Sequence, residues 1–302
     1  MSRSARQLNL SGVYAAAVTP NRPGTHDIDY SAFLDQLDLL AEAEVDGICV
    51  MGSTGEFLNY SFEDRQRAVY LGSKRSRVPL MVGVGHSTIS GAVRLAEEAI
   101  GAGADGLLLM PPFFFRYRQT EIEEFYRVFA DEVGDAVPIM LYAIPQFTSP
   151  IEPETAGRLL ASGLFAGIKD SGGDWKFFER LLEFRRVKRC AVFVGNDRLV
   201  NCALRAGADG IVSGCAAAIP ELLVALARAK GTSEGLMGHL NEFIEWIERF
   251  PAPIGIKRAA QLRGRKSGDL AVPFNAERRR ELDEFSEWFK GWWPNVLAAA
   301  KQ

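Results

Sequence analysis

Short apolar runs rich in β-branched residues recur along this chain. Each is bounded by Gly or Pro and followed by a stretch of helical periodicity, the alternation that builds a parallel sheet. The expected strands are Val13 to Thr19, Gly47 to Gly52, Leu80 to Gly85, Gly106 to Met110, Ile139 to Ile144, Ala166 to Lys169, Ala191 to Gly195 and Gly210 to Ser213. Helices are expected at Tyr30 to Glu44, Phe62 to Ser73, Ser90 to Ala102, Glu121 to Val133, Pro153 to Ala161, Lys176 to Arg185 and Arg198 to Ala206. In the first of these Phe33, Leu34, Leu37 and Leu40 keep helical spacing, as do Val93, Leu95, Ala96 and Ala99 in the third. Eight parallel strands in this length of chain fit a closed (β/α)8 TIM barrel better than an open doubly wound sheet.

Three echoes of one unit support that reading. Glu44-Val45-Asp46-Gly47, Gly103-Ala104-Asp105-Gly106 and Gly207-Ala208-Asp209-Gly210 each precede an apolar strand, and at the latter two the first Gly suits the left-handed cap that ends a helix. After the eighth strand the sequence is helical, with candidates at Glu221 to Ala229, Ser233 to Glu248, Ile254 to Arg263 and Ala276 to Leu297. The expected organisation is an α/β catalytic barrel over residues 1–220 with a C-terminal helical segment, 221–302, packed on it.

Composition narrows the function classes. Lys and Arg number 35 against 38 Asp and Glu, a net charge of −3, so there is no electrostatic footprint for nucleic acid or an anionic membrane. The basic clusters Lys74 to Arg77, Arg185 to Arg189 and Arg278 to Arg280 are flanked by helical pattern or acids and fit solvated faces. Cys49, Cys190, Cys202 and Cys215 show neither CxxC spacing nor disulfide-scaffold density, which suits a reducing compartment. His26, His86 and His239 are too scattered for a metal centre. Met1 to Leu10 is polar, and no run of 18 apolar residues occurs, so the expected location is cytoplasmic.

In such barrels catalytic groups come from the C-terminal ends of strands and the loops after them. Lys169 ends the run Phe165-Ala166-Gly167-Ile168-Lys169-Asp170-Ser171-Gly172, whereas every other lysine falls in a helical or loop stretch. By alternation it shares a face with Gly167, which would leave room for its stem if the side chain points inward. Apolar surroundings disfavour the ammonium and free the amine to attack a carbonyl; the competing reading is a salt bridge to Asp170. Tyr142 closes the fifth strand on the face of Met140, where a phenol can relay protons, or simply pack as an aromatic with a bonded hydroxyl. Gly52-Ser53-Thr54-Gly55-Glu56, after the second strand, offers close backbone approach and several donors to a carboxylate, with Glu56 a loop or helix-start residue.

Taken together, Gly52-Ser53-Thr54-Gly55-Glu56, Tyr142-Ala143-Ile144-Pro145 and Gly167-Ile168-Lys169-Asp170-Ser171 resemble the pyruvate-dependent class I aldolase superfamily of dihydrodipicolinate synthase and N-acetylneuraminate lyase. The likeness includes the opening Gly12-Val13-Tyr14-Ala15-Ala16-Ala17-Val18-Thr19-Pro20 and runs to at least Arg263. The resemblance implies a Schiff base on Lys169, proton relay by Tyr142 with Ser53, and a pyruvate-type carboxylate bound by Gly52, Ser53 and Thr54. It further implies no metal or organic cofactor, pyruvate or another 2-keto acid as the small-molecule partner, and a homodimer or homotetramer.

Two positions depart from the synthases. The arginine that clamps the second substrate's carboxylate is replaced by Phe147, which cannot make that bidentate contact. The family's second tyrosine, donated across a subunit interface, falls most closely at Phe114, with Tyr117 nearby as a substitute. Asn196, Asp197 and Ser213 sit where family members bind substrate hydroxyls, with Val212 a further substrate-binding position, whereas Phe113, Phe114, Phe115 and Phe147 suggest an apolar mouth. The expected function is cleavage or dehydration of a 2-keto-3-deoxy sugar acid. The alternatives are condensation of pyruvate with aspartate semialdehyde and a non-catalytic 2-keto-acid-binding barrel.

Overall fold

The computed structural model describes residues 8–302; Met1 to Gln7, part of the polar N-terminus, lie outside the described residues. The strands are β1 (Gly12–Ala16), β2 (Gly47–Val50), β3 (Leu80–Gly83), β4 (Gly106–Leu109), β5 (Ile139–Ala143), β6 (Gly167–Asp170), β7 (Ala191–Val194) and β8 (Gly210–Ser213). They close in sequence order into one barrel, every neighbouring pair parallel. The alternating helices are α1 (Tyr30–Glu42), α2 (Phe62–Arg75), α3 (Ile89–Ala102), α4 (Gln119–Val133), α5 (Pro153–Ser162), α6 (Trp175–Val187) and α7 (Val200–Arg205). A single 3-10 turn, Asp197–Leu199, occupies the start expected for the last of these.

Then come α8 (Pro220–Arg228), α9 (Glu234–Ile247), α10 (Ile254–Leu262) and α11 (Ala276–Ala300). Helix α8 packs on β1 and β8, the place of an eighth barrel helix, while α11 packs on α8, α9 and α10. Helices α9 and α10 follow α8 in chain order and pack on each other, with α9 also touching α8. Among the described residues no helix is long and apolar enough to cross a membrane.

The three sequence echoes have one structural role. The carboxylates of Asp46, Asp105 and Asp209 accept the backbone N–H of Val13, Leu80 and Val192 at 2.7, 2.8 and 2.8 Å, each on the preceding strand of the barrel. In return, the N–H of each Asp donates to the carbonyl of the same residue at 2.8, 2.9 and 3.0 Å. These reciprocal pairs satisfy backbone groups at the N-terminal rim, where an orphaned donor costs about 1–3 kcal/mol. Gly103 and Gly207, both at φ +93°, supply the left-handed helix stop; Glu44 adopts φ +61° to do the same without being glycine.

Register places Tyr14, Cys49, Met81, Leu108, Met140, Gly167, Phe193 and Val212 on the inward face. Large residues face missing side chains: the rings of Tyr14 and Phe193 meet edge to face at 5.5 Å, and a Cβ on Gly47 would lie 2.2 Å from the Tyr14 ring. This is the layered filling that closes a barrel floor and leaves the site to the opposite rim.

Candidate active site

Lys169 and Tyr142 are Cα partners across β5 and β6, both pointing inward at the C-terminal rim. Lys169 is 5% exposed, and its Nζ lies 4.3 Å from the Tyr142 ring centroid, on the ring face. Room for its stem comes from Gly195, where a Cβ would sit 2.6 Å from Lys169 Cε. The expectation that Gly167 provides that room is corrected: the space beside Gly167 is filled by the Ala191 backbone, 2.1 Å from an added Cβ. Barrel strands are tilted, so the neighbouring strand's main chain covers the position two residues back.

The alternative of a Lys169–Asp170 salt bridge fails on the same alternation, which turns Asp170 to the outer face. There its Oδ1 accepts the Gly172 N–H at 2.8 Å, and its Oδ2 is buried without a partner. Burial raises the Asp170 carboxyl from 3.8 to about 6, the Gly172 bond opposing it. A carboxyl raised in the fold is protonated there while the unfolded chain's is already ionised, so this group's contribution to stability falls between about pH 4 and pH 6 and stays low above. The loss amounts to roughly 3 kcal/mol. Asp170→Asn should therefore be more stable at pH 7 and nearly unchanged at pH 4. Urea midpoints at the two pH values check this; equal gains at both would contradict the assignment.

The loop after β2 is shaped by close approaches. Met51 takes φ +55°, and its carbonyl passes over Gly83, where a Cβ would meet that oxygen at 2.2 Å. Thr19, just beyond the end of β1, donates its hydroxyl to the Gly55 carbonyl at 2.8 Å. These constraints place Ser53 Oγ 3.0 Å from the Tyr142 hydroxyl. Thr54 packs against Gly214 after β8, its Oγ1 3.0 Å from where a Cβ would stand. Ser53, Tyr142 and Lys169 thus form one contiguous set, with Gly52 and Thr54 flanking it.

Glu56 is not simply a loop residue. It sits at φ +52° and pairs with Lys257 of α10 at 2.7 Å, the side chains 3% and 11% exposed for Lys257 and Glu56. Lys257 could not be singled out from sequence, since a lysine in a helical stretch normally faces solvent. Arg65 was missed for the same reason: it is buried on α2, donates to the carbonyls of Gly83 and Gly85, stacks on Phe57, and burial lowers its guanidinium to about 10.

The β7 and β8 positions are only partly gathered at the site. Val212 points inward but is fully buried beside Tyr14. Ser213 alternates to the other face, and its Oγ accepts the Ala216 N–H at 3.1 Å. Asn196 spends its Oδ1 on the Arg198 N–H at 3.1 Å. Asp197 keeps a buried Oδ1 without a partner; burial raises its carboxyl, while Ser213, Cys215 and the nearby Lys169 charge oppose the rise. Asn196 and Asp197 line a small hollow of about 190 Å³ with Gly195 and Ser171.

A larger cavity of about 590 Å³ opens above Ser53, walled by Phe57, Phe113, Phe114, Phe147 and Ile254. Phe114 is 86% and Phe147 62% exposed at its rim, and Phe114 holds φ +81°. Tyr117 lines a separate hollow by α4 with Ile89 and Phe125, so within this chain it does not stand in for the missing hydroxyl at Phe114. Among the described residues no group of three His, Cys, Asp or Glu is placed to hold a metal ion.

The profile of the Dihydrodipicolinate synthetase family matches residues 9–290. A DapA-like lyase of Chloroflexus aurantiacus is 32% identical over 70% of this chain and 72% of its own. A 4-hydroxy-tetrahydrodipicolinate synthase of Methanothrix thermoacetophila is 28% identical over 87% and 90%. The solved 2-keto 3-deoxygluconate aldolase from Picrophilus torridus superposes with a TM-score of 0.80 at 26% identity, covering 87% of this chain and 97% of the aldolase.

Proposed function

Because the chain belongs to the dihydrodipicolinate synthetase family, whose members are lyases, we propose that it is a Schiff-base lyase acting on a 2-keto acid, with pyruvate as the common three-carbon fragment. The observation that carries this is the contiguous set of Lys169, Tyr142 and Ser53.

In this reading the Lys169 amine attacks the keto carbon, and the carbinolamine loses water as Tyr142 passes a proton to the departing oxygen. The resulting iminium is the electron sink for the next step. The C4 hydroxyl gives its proton to the Tyr142–Ser53 pair, the C3–C4 bond breaks, an aldehyde leaves, and the bonding electrons form an enamine. Protonation at C3 and hydrolysis release pyruvate and restore the amine. The substrate carboxylate lies at Gly52, Ser53 and Thr54, where hydroxyls and backbone approach are available. A dehydration would use the same iminium to expel a hydroxyl. No other cofactor has a role in these steps.

The likeness to the 2-keto 3-deoxygluconate aldolase favours cleavage of a sugar acid as a second reading, with Asp197 and Asn196 as hydroxyl ligands. Condensation with aspartate semialdehyde is disfavoured by Phe147. A binding-only barrel is disfavoured by the lysine placed against a phenol. The same proposal includes a cytoplasmic protein, which suits four free thiols, and a homodimer or homotetramer, for which Phe114 and Phe115 offer exposed apolar surface. Reduction with borohydride in the presence of pyruvate should add the mass of the reduced adduct to a peptide containing Lys169. An unmodified Lys169, or an adduct elsewhere, would refute the proposal.

A further inference from the structure

Given the lyase reading above, the structure indicates which aldehyde leaves. We infer that the group carried on C4 is apolar, an aryl or branched alkyl group, so that the reaction splits a 4-hydroxy-2-keto acid into pyruvate and a hydrophobic aldehyde.

Ser53 belongs both to the proton relay and to the wall of the 590 Å³ cavity, so a substituent extending from the reacting carbons past Ser53 enters that space. Its volume lies within the usual range for small-molecule sites. Nearly all of its wall is aromatic or aliphatic. Phe57 and Phe113 already meet edge to face at 5.7 Å, an arrangement that a substrate ring can extend.

The polar side chains of that wall are three, Ser53, Glu56 and Asn59, and the first two are engaged. Glu56 is neutralised by Lys257 at 2.7 Å, and Asn59 donates to Glu56 at 3.4 Å. No cation among the lining residues is left for a second carboxylate, and burying one unpaired is costly. A polyol fares little better, because each buried hydroxyl without a partner incurs a desolvation penalty. On the opposite side, Ser213 and the Asn196 oxygen are already bonded to backbone N–H groups. Asp197 Oδ1 is without a partner but buried, and Asp197 lines a separate hollow with Glu248 and with Ile244 and Ile247 of α9, so it offers no row of contacts to a sugar chain.

The atoms balance without a co-reactant. The O–H proton of C4 moves to the Tyr142–Ser53 pair, the C3–C4 electrons pass to the iminium of Lys169, C3 regains one proton, and water frees pyruvate from the lysine. The reverse direction joins the same two pieces.

The experiment uses the intact protein in two stages. Borohydride trapping with pyruvate first establishes that Lys169 is competent. Condensation of pyruvate is then followed with benzaldehyde, isobutyraldehyde, glyceraldehyde and aspartate semialdehyde, with 2-keto-3-deoxygluconate included for cleavage. Benzaldehyde or isobutyraldehyde should exceed the polar substrates in kcat/KM by about 10²-fold, the discrimination a hydrophobic pocket exerts against added hydroxyls. Phe147→Arg should narrow the gap to aspartate semialdehyde at least about tenfold by restoring a cation at the rim. Trapping followed by faster turnover of glyceraldehyde, the sugar acid or aspartate semialdehyde would overturn the apolar assignment and leave the lyase standing; trapping with turnover of none of the substrates would overturn the apolar assignment and favour a binding-only barrel. Failure of trapping itself would overturn the lyase reading.

Discussion

Lys169→Ala should lose activity by on the order of 10⁴-fold or more, because the covalent route disappears rather than slows. The substitution also removes the adduct formed on reduction with pyruvate. Its cost to folding should be small by comparison. The side chain is 5% exposed and, among the described residues, makes no ion pair within 4 Å; truncation removes only its longer-range attraction on the buried Asp197 carboxyl, and the space beside Gly195 can take up water. The measurement is single-turnover pyruvate release alongside circular dichroism. Persistence of more than a trace of turnover in a folded variant would require another nucleophile, and none of the remaining lysines lies on a barrel strand.

Tyr142→Phe should lower kcat by about 10² to 10⁴-fold with little change in KM. The ring that covers Lys169 Nζ is retained, and only the hydroxyl that meets Ser53 at 3.0 Å is removed. The expected loss therefore falls on proton transfer during carbinolamine breakdown and bond cleavage. Ser53, left with a free hydroxyl at the cavity wall, can still contact the carboxylate. Steady-state kinetics separate the two parameters. A rise in KM at unchanged kcat would make Tyr142 a binding group and would remove the relay from the mechanism.

The eight strands were legible because parallel strands buried on both faces are written as continuous apolar runs. Boundaries were less so: β1 stops at Ala16, before the expected Thr19, since Thr19 leaves the sheet to bond Gly55 in a loop far along the chain. Lys169 and Tyr142 stood out as polar residues ending apolar strands. Lys257 did not, because its partner Glu56 is 201 positions away and helical periodicity gives no sign of such a pairing. Ser213 illustrates the opposite case, a polar residue ending a strand whose alternation turns it outward, where it accepts the Ala216 N–H. Gly195 escaped notice because a glycine ending a strand looks like a turn, and only the tilt of the barrel brings it beside the lysine.

The reciprocal Asp46, Asp105 and Asp209 fastenings sit at the end of the barrel away from Lys169. Their positions separate what holds the chassis together from what touches substrate. Transplanting a foreign loop for residues 111–118 would leave all three fastenings and the Ser53–Tyr142 contact in place, as would varying the rim at Phe147. For protein engineering this makes the molecule a platform on which aldehyde preference can be rebuilt at one rim without renegotiating the closure of the cylinder at the other.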